Sequence, residues 1–236
     1  SPEGRGKYLP AAEYVYKAQA EGRGVYSFCM CPGGFVVPAS TGPEETVVNG
    51  MSPANRGSRW ANSGLVVELH PEDIPATGIR VEDPTSPLAL MQWCEAFEHK
   101  SYLAANRSLR APAQRMTDFV ARRHSSTLPS SSYTMGLTSS DLHEWMPDFI
   151  TRRLSAGFRA FDRTTRGFLT GEAQLIGVES RTSSPVRIPR DRMTYAHPVV
   201  AGLYPAGEGA GFAGGIVSAA IDGENAAQQI ALALGR

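Results

Sequence analysis

Cys29-Met-Cys31 is the sharpest chemical pair in the chain. On a regular strand, residues two apart share a face. Cys29 and Cys31 would then stand side by side just before the turn at Pro32-Gly-Gly34, placed to exchange electrons with a cofactor or a substrate. They are the catalytic candidates. The competing reading makes them small buried hydrophobes, the common fate of free cysteine. No second Cys or His pair offers zinc-ligand spacing, so no metal is expected.

A second kind of chemistry lies near the C-terminal end. Six glycines fall at 202, 207, 209, 211, 214 and 215, and a helical pattern follows directly. Each glycine loses more backbone entropy on folding than any other residue, so such density implies close backbone approach or positive φ. A glycine turn opening a helix presents unpaired N–H groups at the positive end of the helix dipole, which suits a phosphate, a carboxylate or an electron-rich ring edge. Gly209-x-Gly211-x-x-Gly214 formally matches the dinucleotide fingerprint. That fingerprint needs a second strand with an acid about 20 residues on. After Gly214 the apolar residues Ile216, Ala219, Ala220, Gly223, Ala226, Ala227, Ile230 and Leu234 repeat at three and four, as in a helix. We therefore reject a self-contained Rossmann motif and keep a ligand-facing glycine loop and helix start.

Two polar clusters suit ligand recognition. Arg181-Thr-Ser-Ser184, with Arg187 beyond Pro185, combines fixed charge with hydroxyls, as a carboxylate or phosphate site would. The long polar loop from Asn49 to Gly64 carries Asn49, Ser52, Arg56, Arg59 and Asn62, and loops of this length are often binding loops. Asn49, Arg59, Asn62, Arg181, Thr182, Ser183 and Arg187 are the substrate candidates, against the plainer reading of solvated loop and strand ends. Among the five histidines only His197, just before the glycines, draws attention, and none has a partner at metal or triad spacing.

The elements that must position these groups follow from pattern. Strand composition marks Glu13–Lys17, Val25–Cys31, Phe35–Val37, Thr46–Val48 and Leu65–Leu69. Helices are expected from Ser86-Pro87, with Leu90, Trp93, Cys94 and Phe97 inward, over Ala113–Arg123, and from Pro147 to Phe161. The last buries Ile150, Leu154, Phe158 and Phe161, with Gly157 weakening the stripe. Strands return at Leu175–Val178, Pro185–Ile188 and Val199–Tyr204. The fold class is mixed α/β (α+β), without the alternation of a doubly wound domain.

The chain has 236 residues, with 23 basic and 23 acidic, giving a net charge of zero. No nucleic-acid partner is favoured, and no apolar run is long enough for a membrane span. Three cysteines make no disulfide framework and suit a reducing, cytoplasmic setting. The chain opens on Ser1-Pro2 without Met, as a processed product or a fragment would.

Five stretches together resemble the large bacterial FAD-dependent dehydrogenases, uncharacterised NAD(FAD)-utilising dehydrogenase-like flavoproteins. They are Gly24–Gly34, Asn49-Gly-Met-Ser52, Ala61-Asn-Ser-Gly64, Glu179–Arg187 and Leu203–Ile216, in the family's order and over most of the chain. The resemblance implies a two-part flavoprotein in which this chain is the C-terminal portion. Residues 1–190 would be the substrate or cap domain, and 191–236 the strand, glycine loop and helix that return to the FAD domain. The cofactor implied is FAD in the parent protein. Carried over residue by residue, Gly207, Glu208 and Gly209 would lie near the ribityl and diphosphate, with Gly211 and Phe212 also among the cofactor-binding residues. Ala213, Gly214, Gly215 and Ile216 would place their N–H groups at the pyrimidine edge of the flavin ring, and Phe212 stands where relatives are expected to have Tyr. The parent would be an oxidoreductase acting on a small molecule, with an anionic one among the candidates. The chain alone, without the N-terminal fingerprint, is expected to be inactive and to hold FAD weakly. The alternative is a non-catalytic domain that binds an anionic ligand or a partner through Arg181–Arg187.

Overall fold

The computed structural model describes residues 15–235 and divides them into two units. The first takes the described residues through Pro84 together with Trp93–Ser180, and the second takes Thr85–Gln92 and the chain from Arg181 on. Architecture is mixed α/β, as composition and pattern imply. Glu13 and Tyr14 of the first expected strand lie outside the described residues.

The first unit is built on an antiparallel sheet of β1 (Lys17–Ala20), β2 (Arg23–Pro32) and β5 (Ala61–Val67), in the order β1-β2-β5. Alternation puts Val25 and Ser27 of β2 inward, both buried. Leu65 and Val67 of β5 join them against the long helix α5 (Asp148–Thr164). Its stripe of Leu154, Phe158 and Phe161 is buried as the helical spacing predicts, with Ile150 partly so. The hairpin of β3 (Phe35–Pro38) and β4 (Val48–Met51) is paired antiparallel. Short helices α1 (Ile74–Thr77), α3 (Met116–Ala121) and α4 (Leu142–Trp145) and the longer α2 (Ala89–Ala104) complete the helices of this region. Trp93 and Phe97 of α2 are buried, and the Trp93 indole donates to Thr77 Oγ1 at 2.8 Å.

One expected helix is split. Residues 113–115 belong to the strand β6 (Ala111–Arg115), and only Met116–Ala121 is helical. β6 is the centre of a second sheet, parallel to β7 (Leu137–Ser139) and antiparallel to β8 (Gln174–Ile176). Two-sided burial of Ala111–Gln114 removes the amphipathic pattern that distinguishes strand from helix.

In the second unit the two strands expected from the sequence do not form. Val199 and Val200 instead enter a turn, where both backbone N–H groups donate to His197 Nδ1 at 3.1 and 2.9 Å. His197, which sequence proximity made a candidate, thus closes a turn. Pro185–Ile188 lies along the glycine loop through the Ile188 N–H bond to Ala210 O, 3.2 Å, without a ladder. The helix α6 (Ile216–Ala233) follows the glycines as expected.

Candidate functional site

The cysteine pair is not a pair in space. The β2–β5 register steps from Phe28↔Gly64 to Cys31↔Asn62, so three residues of β2 span two of β5. This bulge contains Cys29, with φ of 45°, and Met30. An extra residue reverses the phase of a strand. Cys29 is exposed and Cys31 is buried, which corrects the expectation that they share a face.

The glycine turn is locked from within the second unit by Arg187, Arg190 and Asp222. Gly207 and Gly211 adopt φ of 75° and 82°, conformations that L side chains rarely adopt. Gly211 packs so closely that a Cβ would lie 2.8 Å from Val186 O. Arg187 Nε donates to Gly211 O at 2.9 Å, so this substrate candidate is a loop-holding residue. Arg190 forms a bidentate pair with Asp222 at 2.6 and 2.9 Å and also donates to Pro205 O at 2.8 Å. Its guanidinium lies 3.6 Å from the Phe212 ring centre and 4.0 Å from that of Tyr195. Asp222 Oδ2 in turn accepts from Gly207 N at 2.8 Å. The Arg190 hydrogen bond is the largest cause that holds the Asp222 carboxyl below its ordinary range.

The rest of the turn is open. A Cβ at Gly207, Gly209 or Gly214 would meet nothing within 4 Å. Gly215 is the N-cap of α6, with no side chain capping the helix, and Glu208 and Ile216 are exposed. Ala213 is half-buried between them. First-turn N–H groups of a helix lack intrahelical partners and carry the positive end of its dipole. The backbone at Gly207, Gly209 and Gly214 thus stands in open space just ahead of the uncapped start of α6.

The remaining substrate candidates divide between the units. Asn49, Arg59 and Asn62 belong to the first; Arg181, Thr182, Ser183 and Arg187 belong to the second. Asn49 is exposed and accepts from Gly50 N at 2.7 Å. Arg59 is exposed, 4.3 Å from the Trp60 ring centre. Arg181 and Ser183 are exposed and Thr182 is half-buried. Asn62 differs, because its Nδ2 is buried without a hydrogen-bond partner.

Asn62 also leads to a residue that motif reading passed over. Gly64, two positions on, shares its face of β5. A Cβ on Gly64 would lie 2.2 Å from the Phe28 ring and 2.7 Å from Glu179 Oε2. Burial pushes the Glu179 carboxyl up to about 7. In the sequence Glu179 only opens the stretch Glu179–Arg187; the fold sets it beside Gly64. Among the described residues no group of three or more His, Cys, Asp or Glu is arranged to hold a metal ion.

The mixed α/β chain falls in the class of flavoprotein-related domains by its family match. It belongs to the family described as FAD-dependent protein, C-terminal domain-like, which matches residues 2–182. Asn62 and Glu179 fall within the matched residues, and the glycine turn lies beyond them. The chain is also similar to an uncharacterised protein of Clostridium beijerinckii, 42% identical over 226 residues. The alignment covers 94% of this chain and 41% of that protein, so the chain spans about two-fifths of the relative's length.

Proposed function

We propose that this chain is the C-terminal portion of an FAD-dependent dehydrogenase, supplying contacts to the flavin ring and a substrate pocket. The single observation that carries this is the open glycine cradle at the uncapped start of α6. In this reading Gly207, Glu208 and Gly209 run along the ribityl and diphosphate, and Gly211 and Phe212 keep the turn in shape. Ala213, Gly214, Gly215 and Ile216 offer backbone N–H groups to the pyrimidine edge of the ring. When bound, FAD supplies hydride acceptance. The chain's own contribution is electrostatic: fixed N–H dipoles favour the negative charge of a reduced ring. The Arg190–Asp222 pair holds those dipoles in place before the cofactor arrives.

The partner-binding alternative through Arg181–Arg187 has less to recommend it, because Arg187 Nε is engaged with Gly211 O. The test is Gly214→Val in the longer polypeptide. Its Cβ would face open space within the chain, so the fold is kept while the cradle is filled. Loss of FAD on dialysis is expected; FAD retention equal to that of the unaltered protein refutes the placement.

A further inference from the structure

The glycine cradle leaves unexplained a second cluster, wholly inside the first unit. Two glycines there make room for two polar side chains. Asn62 Oδ1 sits 2.2 Å from where a Gly50 Cβ would be, and Glu179 Oε2 sits 2.7 Å from where a Gly64 Cβ would be. Asn62 and Gly64 lie on one face of β5, about 7 Å apart along the strand. Phe28 and Cys31 oppose them on β2, brought to the same face by the bulge. Asn62 Nδ2 is buried with no partner. Glu179 has no hydrogen bond or ion pair among the described residues, and burial is the cause of its raised pKa. The titratable groups on β2 and α2 are Arg23, Tyr26, Cys29 and Cys31, and Cys94, Glu95, Glu98, His99, Lys100 and Tyr102. Arg23 is held by Asp73 at 2.7 Å, and Glu98 accepts from the Ser180 hydroxyl.

An unpaired buried amide and a desolvated acid both cost stability, and native structures keep few of them. Titratable groups perturbed by desolvation cluster at functional sites. We infer that Glu179 and Asn62 form a proton-donating ligand site, Glu179 giving its proton, and Asn62 a second hydrogen bond, to a small apolar molecule bearing a carbonyl or imine acceptor. The apolar body is set by the Phe28 ring beside the carboxyl. This takes the substrate-pocket half of the proposed function to named residues in the first unit. Its test needs no flavin, so the two readings fail separately.

The test is labelling of the 236-residue chain with dicyclohexylcarbodiimide, an apolar molecule with an imine-like N=C acceptor. The carboxyl proton passes to one carbodiimide nitrogen and the carboxylate oxygen bonds to the central carbon, leaving an adduct that peptide mass spectrometry reads. Glu179 is expected to label at about pH 6, where ordinary carboxylates are ionised, and to lose labelling with a midpoint near 7. In Asn62→Asp the added negative charge on the same face of β5 should raise that midpoint. Absence of label on Glu179 in folded protein overturns the proposal, since a sealed acid is only structural. An ordinary carboxylate midpoint overturns it as well, and a midpoint unmoved in a folded Asn62→Asp chain separates Asn62 from the site.

Discussion

Glu179 and Asp222 are both carboxylates drawn out of water, and their surroundings push them in opposite directions. Glu179 has only burial, which favours the neutral acid. The stability tied to its proton is fully present below its unfolded value of 4.5 and is lost as pH rises through about 7. Glu179→Gln keeps the shape without the titration. The variant should melt close to the unaltered chain in mild acid and above it in mild alkali, followed by circular dichroism across that range. A constant difference at every pH would contradict the assignment. Asp222 has Arg190 and the Gly207 N–H, which favour the charged form. Its stability is present above the unfolded carboxylate range and is lost as pH falls through the depressed folded value. Both side chains of the Arg190–Asp222 pair are about one-tenth exposed. Asp222→Ala leaves Arg190 buried without its partner, at a cost of about 3 kcal/mol by denaturant unfolding. It should also increase hydrogen exchange at the Gly207 N–H.

At the scale of elements, the helices with one-sided stripes were legible, and α5 most clearly. Its apolar spacing gave the buried face of Leu154, Phe158 and Phe161. Gly157 looked like a weakness in that stripe and turns out to be a close contact. A Cβ there would lie 2.6 Å from Val25 Cγ1 of β2. Gly157→Ala gains about 1 kcal/mol of helix propensity and meets overpacking that costs typically about 1–3 kcal/mol. Net destabilisation is expected, relieved in the double variant with Val25→Ala; additive effects would contradict the contact. Other elements were hidden for physical reasons. β6 is buried on both sides, so it has no alternation to read. The valines at 199 and 200 have strand composition, yet the His197 ring turns their backbone. The bulge at Cys29 breaks strand phase through a single φ of 45°, which no composition rule reveals. The glycine loop was legible as an open helix start, while Arg190 and Asp222, which hold it, lie too far apart in sequence to pair by motif.

At the scale of the whole molecule, the second unit carries a helix that is buried on one side only. Asp222 and Ala226 are buried, while Ile216, Val217 and Ile221 are 93%, 71% and 53% exposed. Among the described residues no helix is long and apolar enough to cross a membrane. The family membership and the chain's two-fifths share of its Clostridium relative agree with a domain that works within a longer protein. In the proposed reading the glycine turn at Gly207–Ile216 is part of a cofactor site shared with the rest of a longer polypeptide. The most direct measurement is the flavin absorbance of the longer polypeptide and of the 236-residue chain, each purified and dialysed. The account predicts stoichiometric FAD on the longer polypeptide and its loss from the chain alone. A longer polypeptide without flavin, or a chain that stays stoichiometrically yellow by itself, would contradict it.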